Sequence, residues 1–568
     1  MNSTEKALIQ EKNGNEEKDK LAIKYIDFYR RAHQNMERLR IYEKLKKCHL
    51  YWKGEQNKPE SDFDPASNVN VIHPMVEGNV SLLVEENISV KAAPVTFSDA
   101  PFSEKASSIL EFIKSRNHMK KVIERHERGR EKYGMGVIRV IFDMDALGGA
   151  GLPKIENVPI QNILIDPCVT DVLKINEAEF IIERIVKSVY WAKETYGEEV
   201  AAQIQENYFP FRMDDVSDES KSYGENAKYE HLLIWTREAG MLRLVEMSGC
   251  GVILSDSEDS GEGFYKAGGY PYFFTPLYED EGTIFGIGDI EITAPVQDII
   301  NDLDDQIRIN ARLTGNPQRL IETGSGIDLD ALTNEAGLNI PVNHVGAVKN
   351  LEAPQLPSYV ERRRNLALQY EVQKVSRFSD QMTGNKQTGV DTATEALTLQ
   401  QSGNSGIAHK KSMLQDTLAD VFSYAFELVR EFWDRDIVIR IDDEGQKFIT
   451  VSPMEFEGID NLIPKEKGGK HVLEADGTKN AEFDITVSVG AGLPQNKAFQ
   501  YNMMRELYAM KIISAEELRE WMNQNFGLAL ANQQPSTPGE VPGGEIANQN
   551  ADVLGVNMSG NIETGAMM

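Results

Sequence analysis

The sequence has little cysteine, no long apolar run and no excess of positive charge. Its three cysteines, Cys48, Cys168 and Cys250, lie far apart and form no CxxC pair, so the sequence indicates neither a disulfide framework nor a zinc site. No stretch approaches the roughly eighteen apolar residues of a membrane-spanning helix, and the N-terminal residues lack the apolar core of a signal peptide. We therefore expect a protein that begins in a reducing cytosol and does not span a membrane.

Acidic residues outnumber basic ones, with 89 Asp and Glu against 60 Lys and Arg and a formal net charge of −29. The average surface of such a chain repels duplex DNA, because phosphate binding depends on Lys and Arg and on the release of counterions. This excludes a protein that grips DNA over its whole surface. The negative net charge does not exclude a protein that surrounds DNA and lets the DNA slide. At 568 residues the chain exceeds one typical core, so about two to four domains are expected.

The sequence also lacks motifs for catalysis and for cofactor binding. The segment 384–391 has the two glycines of a phosphate loop, but Val390 and Asp391 replace the required lysine and Ser/Thr. The glycine pair at 286–288 lacks the third glycine of a dinucleotide loop. We therefore predict no enzyme activity, no catalytic residue, no bound metal and no cofactor.

The strongest pattern lies at 289–378, where two amphipathic helices flank a segment of about forty residues. The helix predicted at 289–315 has apolar residues at three- and four-residue steps: Ile292, Val296, Ile299, Ile300, Leu303 and Ile307. Its other face is acidic, with Glu291, Asp298, Asp302, Asp304 and Asp305. The second helix, predicted at 358–379, has a basic face with Arg362, Arg363, Arg364, Lys374 and Arg377. Opposite charges suit antiparallel neighbours, either within one chain or between neighbouring copies in a ring.

The remaining elements are predicted from periodicity. One long amphipathic helix is expected over 21–52, a strand over 137–142, and a long helical region over 392–433. Strands at 437–441, 448–451 and 483–489 are expected to return to the N-terminal sheet. The chain is thus of the α+β class.

Several short motifs resemble one known family in the same order. Residues 286–291 read Gly-Ile-Gly-Asp-Ile-Glu, and Gln297 and Asn301 follow on the helix. Earlier in the chain, 162–167 has an Asn-x-x-x-Asp-Pro pattern that is followed by a strand beginning near Phe180. This order of motifs is similar to that of the portal proteins of tailed bacteriophages, and the resemblance covers about 22–531.

The resemblance implies a portal-like subunit with a mixed α/β wing, a two-helix stem, a small clip and a helical crown, assembled as a ring. The implied boundaries are a flexible N-terminal arm (1–20), the first part of the wing (21–288), stem helix 1 (289–315), the clip (316–357), stem helix 2 (358–379), a tunnel loop (380–391), the second part of the wing (392–492), the crown (493–531) and a disordered C-terminal tail (532–568).

The implied function is a homo-oligomeric ring of twelve subunits at one capsid vertex, through which double-stranded DNA passes during packaging and ejection. The implied partners are the terminase large subunit, the major capsid and scaffolding proteins, and head-tail adaptor or tail proteins. The protein is then expected in the virion, after assembly in the host cytoplasm.

The resemblance also assigns roles to individual residues. In the tunnel loop it points to Thr383, Asn385, Lys386, Gln387 and Thr388 as DNA-facing positions. On stem helix 1 it points to Asp298, Asp302 and Asp305 as channel-lining positions. In the clip it points to Arg319, Glu322, Asp328, Asp330 and Glu335 as contacts for the motor and adaptors.

Two other functions are compatible with the residues. A non-viral structural or adaptor protein could oligomerise through the same helix pair without passing DNA. A metal-dependent hydrolase could use the carboxylates at 298–305, although a solvated acidic helix face is the simpler interpretation.

Overall fold

The computed structural model describes residues 3–59, 66–84, 88–207, 209, 227–238, 241–257, 265, 268–324, 326–328, 330, 344, 346–351, 355–372, 405–440, 448–467 and 470–489. All of them belong to a unit that spans residues 1–491. The predicted crown (493–531) and C-terminal tail (532–568) lie outside the described residues.

Helices and strands alternate along the chain, which confirms the predicted α+β class. The helices are α1 (Ser3–Arg38), α2 (Ile41–Lys53), α3 (Ile72–Val84), α4 (Ser103–Arg116), α5 (Met119–Tyr133), α6 (Ala146–Gly149), α7 (Val189–Tyr196), α8 (Glu198–Ala201), α9 (Asp289–Gly315), α10 (Ser358–Leu366) and α11 (Ser405–Phe432). A π-helical turn, Ala367–Glu371, continues α10.

Sixteen strands are found in the described part of the chain. They are β1 (Ile88–Pro94), β2 (Met135–Asp143), β3 (Leu152–Asn157), β4 (Ile163–Ile165), β5 (Phe180–Ser188), β6 (Lys228–Glu238), β7 (Met241–Ser248), β8 (Ile253–Asp256), β9 (Tyr272–Pro276), β10 (Arg319–Ile321), β11 (Val348–Asn350), β12 (Ile437–Arg440), β13 (Phe448–Val451), β14 (Ile459–Lys467), β15 (Lys470–Lys479) and β16 (Phe483–Val489). The strands β4 to β8 form an antiparallel meander, and β3, β2 and β9 form a second sheet.

The N-terminal region differs from the sequence prediction at Arg40. The predicted single helix over 21–52 is two helices, because Arg40 adopts a left-handed backbone with φ of 53° and interrupts the hydrogen-bond ladder between α1 and α2. The first helix, α1, begins at Ser3, within the segment 1–20 that the sequence analysis assigns to an N-terminal arm. The second helix ends at Gly54, whose φ of 75° suits a helix C-cap.

The main core forms where the sheets and α11 meet. Five residues of α11 are fully buried, as their helical spacing predicts: Leu414, Leu418, Val421, Phe422 and Ala425. The Phe432 ring at the end of α11 stacks on Phe142 of β2, with ring centroids 4.6 Å apart. The packing of α11 against β2 joins the second half of the chain to the first half.

The late strands confirm one part of the sequence prediction and correct another. Strand β16 pairs with β1, with Val489 opposite Ile88, so this strand does return to the N-terminal part of the chain. Strands β12 and β13 pair only with each other among the described strands, and β14 and β15 form a further hairpin that the sequence pattern did not predict. Within the residues that the structure describes, no helix is both long and apolar enough to cross a membrane.

Candidate functional site: the helix Asp289–Gly315

Three glycines bring two chain segments together at the start of α9. Gly134, at the end of α5, has a φ of +83°, and a Cβ there would lie 2.3 Å from the Gly286 carbonyl oxygen. A Cβ on Gly286 would lie 2.5 Å from the Gly134 oxygen, and one on Gly288 would lie 2.8 Å from the Gly134 nitrogen. Any side chain here would overlap backbone atoms that cannot rotate away. The Gly-x-Gly sequence therefore provides close packing against α5.

The first turn of α9 is fixed by side chains of α9 and α2. The Glu291 carboxylate accepts a hydrogen bond from the Gly288 N–H at 3.0 Å, which satisfies a free donor at the helix start. The Lys44 ammonium lies 2.6 Å from the same carboxylate and donates to the Gly286 carbonyl oxygen at 2.7 Å. Helix α2 therefore holds both the entry loop and the first turn of α9.

The buried face of α9 is largely polar. This face contains the polar residues Thr293, Gln297, Asn301 and Asp304 beside Val296 and Ile300. Of the predicted apolar stripe, Val296 and Ile300 are buried, whereas Ile292 and Ile299 are 41% and 38% exposed. The buried face is thus rotated from the apolar stripe, because periodicity identifies an apolar face and does not reveal which face meets the rest of the chain.

Gln297 and Asn301 hydrogen-bond to the backbone of the segment that precedes α3. The Gln297 side chain accepts from the Val71 N–H at 3.0 Å and donates to the Val69 carbonyl oxygen at 2.5 Å. The Asn301 Oδ1 atom accepts from the Val69 N–H at 3.3 Å and from the Gln297 amide at 2.9 Å. The two amides thus bind this extended segment much as a neighbouring strand would, so their role in the described contacts is structural.

Two of the three predicted channel-lining carboxylates contact the same chain. Asp298 accepts hydrogen bonds from the Tyr51 hydroxyl at 2.7 and 2.8 Å, and burial together with this contact raises the pKa of Tyr51. Asp305 accepts from the Ser67 N–H at 2.6 Å. Asp298 and Asp302 are exposed, and Asp305 is half-buried. Of the three, Asp302 is the one whose side chain has no partner among the residues that the structure describes.

The second helix packs antiparallel to α9. The Arg364 guanidinium of α10 forms an ion pair with Asp304, and Ala367 packs with Val296 and Ile300 one to two turns earlier on α9. The predicted attraction between an acidic and a basic helix is thus realised within one chain. Tyr359 and Leu366 remain 70% and 50% exposed on the outside of the pair.

The segment between the two helices contains the short antiparallel pair β10 and β11, with Arg319 opposite Asn350. The predicted clip residues Glu322, Asp328 and Asp330 are exposed, and Arg319 is half-buried. The remaining predicted site residues lie outside the described part of the chain: Glu335 of the clip, and Thr383, Asn385, Lys386, Gln387 and Thr388 of the tunnel loop.

A buried ionic cluster joins the start of α9 to two other helices. The Lys410 ammonium of α11 lies 2.7 Å from a Glu131 oxygen of α5 and 2.6 Å from an Asp289 oxygen of α9. The Asn79 amide of α3 donates to both carboxylates, at 3.3 and 3.4 Å. Burial is the main cause that raises the pKa of Glu131 to about 8, and the adjacent charge of Asp289 is the second. The positive charge of Lys410 opposes that shift. We name Asp289, Glu131, Lys410 and Asn79 the stem-base cluster.

The sequence contained a signal for this cluster that periodicity analysis did not use. Lys410 lies four residues before Leu414 and therefore on the same face as the buried stripe of α11. A charged residue in phase with a buried stripe requires a buried partner of opposite charge. Glu131 likewise lies one turn after the buried Glu127 on α5.

A family model described as phage SU10 portal protein matches residues 48–461. The chain belongs to this portal protein family. The predicted identification is thereby confirmed. No curated protein matches the chain. The match to the portal family includes α9, the segment 316–357 and α10, whereas α1 and the residues after 461 lie outside it.

The portal family is structural, and the acidic residues of α9 agree with such a role. Asp304 is paired with Arg364, and Asp305 accepts a hydrogen bond from the Ser67 N–H. Among the described residues, no three His, Cys, Asp or Glu side chains are grouped as metal ligands.

The Gln297→Leu variant of the portal protein is expected to lose about 2–4 kcal/mol of unfolding free energy, because the Val71 N–H and the Val69 carbonyl lose their partner in a buried site. Chemical denaturation followed by circular dichroism measures this loss. The matched control is Gln306→Leu on the exposed face of the same helix, for which a change within about 0.5 kcal/mol is expected. Equal effects at both positions would contradict the assigned role of Gln297.

Proposed function

We propose that this portal protein assembles into a ring of twelve subunits that forms a DNA channel at one capsid vertex. In this proposal, double-stranded DNA enters through the ring during packaging, is retained by it, and leaves through it at ejection. The observation that carries the proposal is the family match over residues 48–461. The antiparallel pair of α9 and α10, joined by the segment 316–357, supports the assignment of a stem and a clip.

The proposed partners follow from the same assignment. The terminase large subunit docks on the clip and supplies the ATP-driven force, and head-tail adaptor or tail proteins bind there later. The described clip residues proposed for such contacts are the exposed Glu322, Asp328 and Asp330, together with the half-buried Arg319. Major capsid and scaffolding proteins surround the wing. The portal protein itself then acts as a passive channel in the virion, after assembly in the host cytoplasm.

The channel wall is proposed to include the exposed face of α9 around Asp302. A carboxylate there repels DNA phosphates, which keeps the DNA free to slide. Asp298, which is exposed, and Asp305, which is half-buried, stay part of the proposed wall, although each also accepts a hydrogen bond within the subunit. The tunnel loop at 380–391, with Lys386, is proposed to contact the DNA.

Neighbouring subunits are proposed to pack on the exposed apolar face of α9. Ile292 and Ile299 are 41% and 38% exposed, on the side of the helix opposite Gln297 and Asn301. A second copy that covers these side chains removes apolar surface from water, at about 25 cal/mol for each Å² buried. A closed ring provides such a contact for every copy.

The Ile299→Asp variant is therefore expected to remain folded but to lose the ring. A buried carboxylate at each subunit contact replaces apolar burial with an uncompensated charge and weakens each contact by about 3 kcal/mol or more. Sedimentation velocity measures the result as a shift from ring-sized particles to monomers. The control is Ile23→Asp, which introduces the same change at a 69% exposed position on α1. Rings that persist in Ile299→Asp would exclude this face as the interface.

A further inference from the structure

A surface around the turn between α4 and α5 is basic, although the chain as a whole carries a net charge of −29. Arg116 ends α4, His118 precedes α5, and Lys120, Lys121 and Arg125 lie on the first two turns of α5. All five side chains are exposed. We name them the α4–α5 basic surface.

The Arg and Lys side chains of this surface differ from their neighbours in having no carboxylate partner among the residues that the structure describes. One turn further along α5, Arg128 is 2.8 Å from a Glu77 oxygen and 2.9 Å from a Glu124 oxygen. Lys114 of α4 is paired with Glu111. By contrast, the described contacts of the α4–α5 basic surface include only the Arg116 guanidinium stacked 5.2 Å from the Phe112 ring centroid. Its positive charge is therefore not neutralised by the described part of the subunit.

The basic surface borders a groove of about 550 Å³ between α5 and β3. One side of the groove is lined by Arg116, His118, Lys121 and Arg125. Two of the three acidic residues in the groove are paired with cations: Arg139 lies 2.6 Å from Glu156 and 2.7 Å from Glu183. Lys154 lies 2.8 Å from the other Glu156 oxygen. Asp143, at the end of β2, is a further acid of the lining. The groove thus has more positive than negative charge available to a ligand.

The apolar side chains that line the groove are small or turned toward the core. Leu152, Ile155 and Val158 are 9%, 2% and 4% exposed, whereas Val122 and Ala146 are half-buried and Pro159 is exposed. Protein interfaces usually depend on aromatic or aliphatic side chains buried at their centre. The described lining of the groove includes no Phe, Tyr, Trp or Met, so a ligand that is recognised mainly through charge fits it better than a protein partner.

We propose that this groove binds the phosphodiester backbone of duplex DNA on the outside of the subunit, apart from any central channel. Phosphates are the anions that Arg and Lys side chains bind with little apolar contact, and bound phosphates release counterions. Arg116, Lys121 and Arg125 supply the charge, and the groove accommodates the backbone. The contact is independent of base sequence, because it is made to the backbone alone.

The test is fluorescence anisotropy of a labelled 20-base-pair duplex titrated with the full chain at several salt concentrations. Binding should weaken with salt, with a slope of log K against log[salt] near −3 for about three phosphate contacts. The double variant Lys121→Glu/Arg125→Glu should lower the association constant at least about tenfold and reduce the slope by about two.

The control is the double variant Lys20→Glu/Lys174→Glu, which changes the net charge by the same amount at exposed positions outside the groove lining. It should retain most of the binding. Equal losses in both double variants would overturn the proposal, because they would attribute binding to net charge. A labelled poly-glutamate peptide that binds as tightly as the duplex would also overturn it and would indicate an acidic protein partner. The test does not require ring assembly, so its failure leaves the channel proposal unaffected.

Discussion

Replacing Lys410 with methionine is expected to lower the unfolding free energy of the portal protein by about 3–5 kcal/mol. The ammonium lies within 2.7 Å of both Glu131 and Asp289, and all three side chains are buried. Methionine has a similar length, but it leaves two acidic groups in the interior without a cation. Because Asp289 is the first residue of α9, the start of that helix should loosen as well.

Denaturant unfolding measures the stability loss, and hydrogen exchange at residues 289–293 measures the loosening. The control is Lys411→Met, the same chemical change at the next, half-exposed position, where a loss below about 1 kcal/mol is expected. If Lys410→Met were as stable as the wild-type protein, the stem-base cluster would not hold α9 in place.

Replacing Gly134 with alanine is expected to cost about 3 kcal/mol or more. The new Cβ would lie 2.3 Å from the Gly286 oxygen and 2.7 Å from the Gly288 nitrogen, so the loop before α9 must move. The positive φ of Gly134 adds roughly 1–2 kcal/mol of backbone strain for a residue with a side chain.

The alanine variant of Gly148 separates these two causes. Gly148 also has a positive φ, of +67°, but a Cβ there would meet no atom within 4 Å. The loss of unfolding free energy in Gly148→Ala should therefore be limited to the backbone strain of roughly 1–2 kcal/mol. Thermal unfolding of both variants measures the difference. Equal losses would show that the close approach of Gly134 to the loop contributes nothing to stability.

The sequence predicts the elements whose signals are local. The bounds of α9 were predicted because Gly315-Asn316-Pro317 ends a regular stripe, and β2 was predicted because β-branched residues dominate it. The family was predicted because short motifs occur in a fixed order, and the match over 48–461 confirms it.

The elements that the sequence did not predict depend on contacts between distant residues. Nothing local to Gln297 or Asn301 indicates that their amides hydrogen-bond to the backbone at Val69 and Val71. The break at Arg40 is equally hidden, because arginine normally favours a continuous helix. The hydrogen bond to Asp298 is hidden for the same reason: its donor is Tyr51, far away in the sequence.

These contacts give α9 two distinct sides. One side is fixed to α2, α3, α5 and α11 through glycine packing, side-chain amides and the stem-base cluster. The other presents Ile292, Ile299 and Asp302 outward. A helix anchored on one side and exposed on the other suits a subunit that completes its packing with a neighbouring copy and faces a channel.

The central claim is tested most directly by single-particle electron microscopy of the purified protein, with class averages viewed along the symmetry axis. The account predicts rings with an open central channel wide enough for duplex DNA, about 20 Å across, in which α9 lines or borders the channel. A closed oligomer without a pore would contradict it and would favour an adaptor that assembles through the same helices without passing DNA.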